Sequence, residues 1–112
     1  MAVGQYRAAA GISGKHRHIL FGYLPLYNGV SSVEIGIPKG SSLFKAPPYP
    51  DGFDKPILFY GTSITHGACA SRPGMCHPAI IGRWMKRPVV NLGFSGNGRM
   101  EQELAYLLTG LD

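Results

Sequence analysis

Two short apolar runs, Pro56-Ile57-Leu58-Phe59 and Pro88-Val89-Val90-Asn91-Leu92, each break into a glycine-bearing turn and then into a segment with helical spacing. Runs of that length bounded by turn residues predict buried strands of a parallel sheet. The helical spacing lies in His77 to Lys86, with Ile80, Ile81 and Trp84 on one face, and again in Met100 to Leu108, with Leu104, Leu107 and Leu108. Pro78 suits the first turn of its helix, where a missing N–H costs nothing. The order strand, turn, helix, strand, turn, helix predicts two βα units with a right-handed crossover, so that both turns emerge at one sheet edge. Position marks Tyr60 and Trp84 as core residues. A sheet this small leaves an edge and helix faces uncovered, which predicts low stability for residues 56–112 alone.

Upstream of residue 46 the pattern is of another kind. His18 to Tyr27 and Val30 to Pro38 are rich in β-branched, aromatic and leucine residues and predict two strands joined at Asn28-Gly29, a favoured hairpin pair. Ser41 to Lys45 predicts a short third strand, and residues 1–18, with no clear periodicity, read as a lead-in without a regular element. Ala46-Pro47-Pro48-Tyr49-Pro50-Asp51-Gly52 sustains neither ladder nor helix, because its prolines remove donors and fix φ. The domain boundary is therefore expected there, dividing the chain into 1–50 and 51–112.

Composition narrows the classes. Of 112 residues, 45% are hydrophobic and 15% charged, which argues against disorder; 16 glycines and 9 prolines imply many turns. No apolar stretch approaches the roughly 18 residues of a membrane span, and Met1 to Ala10 lacks the order of a signal peptide. The net charge of +5 is scattered along the chain, so neither nucleic acid nor a membrane is the expected partner. The one local cluster, Arg83-Trp84-Met85-Lys86-Arg87, ends a predicted helix, where cations complement the dipole. Cys69 and Cys76 do not have the spacing of a zinc pair. They read either as two reduced, partly buried thiols or as a disulfide across the Pro73-Gly74 turn in an exported protein. No metal set is implied.

The chemistry-bearing residues sit in the two turns. Tyr60-Gly61-Thr62-Ser63-Ile64-Thr65 places a serine just past the carboxyl end of a strand, where α/β sheets hold their sites. A serine there also suits a helix N-cap, and as a nucleophile it needs a base to take its proton. The chain's histidines are His16, His18, His66 and His77. His66, three residues after Ser63, reads as a loop residue pointing along the succeeding turn. The second turn, Gly93-Phe94-Ser95-Gly96-Asn97-Gly98, can bring backbone N–H groups against a substrate. Ser95 is a rival nucleophile, since Gly93 to Asn97 nearly spells a G-x-S-x-G elbow, but Asn97 stands in place of the last glycine. The glycines 93, 96 and 98 are in the wrong order for a dinucleotide fingerprint. Gly96 is better placed as an oxyanion donor, a role able to supply about 3 kcal/mol. Asn97 either contacts substrate or holds the turn, and Arg72 and Arg99 flank the mouth, where they can meet an anionic or sugar-like group. Tyr27, Tyr49 and Phe94 are aromatic candidates for a carbohydrate surface.

Taken as a pair, Gly61-Thr62-Ser63-Ile64 and Gly93 to Gly98 resemble the first two sequence blocks of the SGNH hydrolases, the GDSL family of esterases and lipases. The resemblance covers roughly residues 56 to 112. It implies an α/β fold in which residues 51–112 form the N-terminal half of a flavodoxin-like hydrolase domain with a parallel sheet. It also implies Ser63 as catalytic nucleophile and the N–H groups of Ser63 and Gly96 as the oxyanion hole, with Asn97 and Arg72 near the substrate. The stretch from Ala68 through Arg72-Pro73-Gly74-Met75 to Gly98 looks like a bacterial branch in which a β-sandwich precedes the hydrolase domain. Residues 19–44, with Leu24-Pro25-Leu26-Tyr27-Asn28-Gly29-Val30, look like the end of that sandwich. The family's third-block asparagine and its late Asp-x-x-His block have no counterpart up to Asp112, so the chain is expected to be a fragment with little activity alone. The expected function is hydrolysis of an acylated carbohydrate or another small ester, with no metal or organic cofactor; the compartment, export included, and the oligomeric state stay open. The alternative is a non-catalytic carbohydrate-binding or interaction module in which Ser63 only caps a helix.

Overall fold

The computed structural model describes residues 5–12 and 16–110, with side-chain burial from Ile19 onward. Strand β1 (Gln5–Ile12) pairs antiparallel with β2 (His16–Tyr23), from Gln5↔Tyr23 to Ile12↔His16. Its other edge takes β3 (Ser42–Lys45), from Ala8↔Lys45 to Gly11↔Ser42, giving the order β2-β1-β3. The central strand is the one that local pattern did not mark. Ala8-Ala9-Ala10-Gly11 has low strand preference, but a neighbour on each side pairs its backbone groups.

The lead-in reading of residues 1–18 is thus corrected for 5–12 and 16–18, while residues 1–4 and 13–15 lie outside the described ones. Two further expectations change. Val30 to Pro38 alternates as a strand would but pairs with no described strand, and Asn28-Gly29 turns no hairpin. β2 stops at Tyr23, just ahead of Leu24-Pro25, where the proline nitrogen offers no donor to a ladder. Leu20, Leu24, Val30, Val33, Ile35 and Leu43 line an apolar groove of about 770 Å³ between this segment and the sheet.

The second half of the chain is α/β. Strands β4 (Ile57–Gly61) and β5 (Val89–Gly93) are parallel and in register from Ile57↔Val89 to Gly61↔Gly93. Between them run α1 (Ser63–His66), a 3-10 turn at Pro73–Met75 and α2 (His77–Met85); α3 (Gln102–Thr109) follows β5. Buried Pro78, Ala79 and Gly82 form the inner face of α2, and residues this small allow a close approach to buried Val89. The helix is therefore where its period put it, but rotated. Trp84, expected in the core, is 78% exposed, because the buried face of α2 is the small-residue stripe, with Ile80 and Ile81 only partly buried. Tyr60, also expected in the core, is partly buried. Cys69 is exposed, Cys76 is buried, and both are free.

Candidate active site

In-register pairing places Gly61 and Gly93 side by side at the carboxyl ends of β4 and β5. Ser63 and Ser95 each lie two residues further on. Thr62 stands at the N-cap of α1 with extended backbone and no side-chain cap bond, so Ser63 opens the helix and does not cap it. After four residues the helix ends at Gly67, whose φ of +118° is a left-handed conformation that glycine adopts without a Cβ penalty. The Ser63 carbonyl accepts from the N–H groups of Gly67 (2.9 Å) and Ala68 (2.8 Å) and from the Tyr27 hydroxyl (3.4 Å). Its main chain is thereby fixed from two directions, while its hydroxyl makes no hydrogen bond to a described residue.

This turn is pressed against both neighbouring strands. A Cβ on Gly93 would lie 2.0 Å from the His66 nitrogen, and one on Gly98 would lie 2.5 Å from the Gly61 carbonyl oxygen. Both obstacles are backbone, so neither position can take a side chain without moving the serine turn or the second loop. Asn91 adds a polar tie. It is 6% exposed, its Nδ2 donates to the Thr65 carbonyl at 2.9 Å, and its Oδ1 accepts the Gly93 N–H at 2.9 Å. One buried amide thus joins β5 to the helix that Ser63 opens.

The second loop is held at its two ends and open between. Its near end is fixed by the Phe94 N–H donating to the Gly61 carbonyl at 2.8 Å. Asn97 N–H then donates to the Phe94 carbonyl at 3.0 Å, closing a turn with Gly96 at its third position and φ +74°. That position requires a positive φ in a type II turn. At the far end the Tyr60 hydroxyl donates to Glu101 Oε2 at 2.8 Å and accepts the Met100 N–H at 3.0 Å. The Glu101 carboxyl is held below the ordinary carboxylate range by its own backbone N–H, by the Tyr60 hydroxyl and by Arg99, against a smaller opposing effect of desolvation. No described residue lies within 4 Å of a Cβ built on Gly96. Neither the Ser63 N–H nor the Gly96 N–H donates to a described residue.

The other sequence candidates fall as follows. Asn97 is exposed and, with Phe94, Glu101, Glu103, Leu104 and Leu107, lines a shallow groove of about 360 Å³. Arg72 precedes the 3-10 turn with an exposed side chain that engages no described residue. His66 turns away from the hydroxyl of Ser63: its Nε2 meets the Leu26 carbonyl, and its ring stacks on Tyr27 at 4.0 Å between centroids. A carbonyl only accepts, so Nε2 carries the proton, and buried Nδ1 has no described partner. Among the described residues no group of three or more His, Cys, Asp or Glu side chains could hold a metal ion, and no helix is long and apolar enough to cross a membrane. The ties through Asn91, Tyr60 with Glu101, and Tyr27 with His66 were not anticipated. Only Asn91 carried a local signal, a polar residue inside the run Val89-Val90-Asn91-Leu92.

Residues 54–112 match the model of the GDSL-like lipase/acylhydrolase family. The chain belongs to that family. A crystal structure of a Bacteroides ovatus protein described as a GDSL-like lipase superposes with a TM-score of 0.68 at 33% identity, covering 95% of this chain and 38% of that one. The chain thus spans well under half the length of this GDSL-like relative. No protein of curated function matches it.

Proposed function

We propose that this chain carries the nucleophile and two oxyanion donors of an SGNH-type serine hydrolase acting on an acylated carbohydrate or another small ester. The observation that supports it most is the pair of N–H groups, of Ser63 and Gly96, that donate to no described residue, on turns that leave adjacent parallel strands at one edge. Ser63 Oγ attacks the ester carbonyl, and the two N–H groups receive the oxygen as it becomes an oxyanion. Donors already fixed by the surrounding bonds need no reorganisation as the charge develops. The proton of Ser63 passes to a histidine oriented by a carboxylate, as in serine triads generally. His66 does not fill that role, because its Nε2–H is committed to Leu26 and its ring is stacked under Tyr27. The base is assigned to the family's late Asp-x-x-His block. Asn97 and Arg72, exposed and without side-chain partners among the described residues, are assigned to the alcohol portion of the substrate. The antiparallel sheet β2-β1-β3 is assigned to a preceding β-sandwich domain, with the boundary at residues 46–52.

The test is hydrolysis of an activated acetyl ester by a protein carrying this chain together with the remaining family blocks. Ser63→Ala should lower kcat by about 10⁴-fold or more, the scale for losing a triad nucleophile. Residues 1–112 alone should turn over poorly. Full activity in Ser63→Ala would end the assignment.

A further inference from the structure

The segment that follows β2 does more than connect. Two of its residues, and Tyr23 at the end of β2, reach across to the turn that Ser63 begins and to the loop beyond it. Tyr27 stacks on the His66 ring at 14° between planes, and its hydroxyl reaches the Ser63 carbonyl. The Leu26 carbonyl accepts from His66 Nε2, and its side chain fills the space over Gly67, where a Cβ would lie 2.2 Å from Leu26 Cδ1. Tyr23 anchors the start of the segment: its hydroxyl accepts from Arg83 Nη1 at 2.9 Å, and the same nitrogen donates to the Gly74 carbonyl at 2.6 Å. On the opposite side α1 rests on β5 and the Asn91 amide. The four-residue helix is too short to hold itself. Its geometry is set by what grips it, β5 from below and residues 26–27 from above.

We propose that Leu26 and Tyr27 are positioning residues for the nucleophile, so that the N-terminal segment sets the rate at which Ser63 is acylated. The inference rests on the esterase reading for its kinetic half and on geometry alone for its structural half. Tyr27 is half exposed, and removing its ring leaves the buried residues of β5 and α2 in place. The grip weakens while the fold persists.

Hydrogen exchange on the 112-residue chain tests the structural half. Tyr27→Ala should speed exchange of the His66, Gly67 and Ala68 amides about tenfold, the scale of a lost ring stack, and leave the β5 amides unchanged. Tyr27→Phe, which keeps the ring, should stay close to wild type. In the longer protein carrying this chain, Tyr27→Ala should lower the pre-steady-state rate of acylation by an activated acetyl ester, and kcat/KM with it, about tenfold, and Tyr27→Phe should restore most of both. Unchanged exchange at residues 66–68 in Tyr27→Ala would overturn the grip. Faster exchange with an unchanged acylation rate would overturn the positioning role. If Ser63→Ala retains turnover, the esterase reading and the kinetic half fall together, and the exchange result decides the grip by itself.

Discussion

The turns that leave β4 and β5 come from the same supersecondary unit, yet they are held in opposite ways. After β4, the serine turn is crowded: strand β5 and the Asn91 amide grip it on one side, the Tyr27–His66 stack on the other, and Gly93 and Gly98 beside it admit no Cβ. After β5, the Gly96 turn is tied to described residues at its ends, by Phe94 to Gly61, by Gly98 packed on Gly61 and by Tyr60 to Met100 and Glu101. Its middle faces open space. On the proposed reading the first turn carries a nucleophile that must be aimed at a carbonyl, and the second carries an oxyanion donor; crowding suits the first task. Oxyanion donors must instead stay unobstructed while their loop is anchored. The difference teaches that glycine serves packing at residues 93 and 98, and backbone conformation at residue 96.

Substitution of the glycines should break the symmetry of the pair most strongly. Gly93→Ala puts a methyl group against the His66 backbone, so the turn or the strand must move; a loss of about 3 kcal/mol or more is expected, by denaturant unfolding. Gly96→Ala meets no neighbour and retains the N–H, and pays only for its positive φ, about 1 kcal/mol. Comparable losses at the two positions would remove the distinction drawn here.

Asn91 is the next lever. Asn91→Leu keeps the volume but leaves the Thr65 carbonyl and Gly93 N–H without their buried partner, and should cost about 2–3 kcal/mol. It should also quicken exchange at residues 66–68 more than at the Gly96 turn. A uniform change in both turns would mean that Asn91 supports the sheet as a whole.

The anchor at Glu101 should give the smallest effect, with a definite sign. Its pKa is lowered in the folded chain, so the stabilisation from the Tyr60 bond is present above the unfolded carboxylate value and is lost as pH falls through the folded one. The Tm gap between wild type and Glu101→Gln should be measurable at pH 7 and should close as the pH drops below the carboxylate range. A gap that stays constant with pH would show that the carboxylate charge does not contribute to closing the loop.

The α/β half was legible because its signals are local. Residues 57–61 and 89–93 are apolar runs ending in glycine, and α2 and α3 carry a clear helical period. The N-terminal half was not, because the middle of its central strand is alanine and glycine and exists through pairing on both edges, whereas Val30 to Pro38 has the right alternation and no described strand beside it. At the site, the positions of Ser63 and Gly96 followed from where the strands end. The residues that hold them did not, since Tyr27 and His66 are brought together from 39 positions apart and Tyr60 and Glu101 from 41.

The central claim, that Ser63 is the nucleophile and Gly96 belongs to its oxyanion hole, is tested most directly by labelling. A protein carrying this chain with the remaining family blocks would be treated with a serine-directed phosphonate and the adduct located by peptide mass mapping. A single adduct on Ser63 is expected, lost in Ser63→Ala and retained in Ser95→Ala. An adduct on Ser95 would contradict it, because the turn from Gly93 to Asn97 would then carry the nucleophile and the role given to Gly96 would fall with that of Ser63.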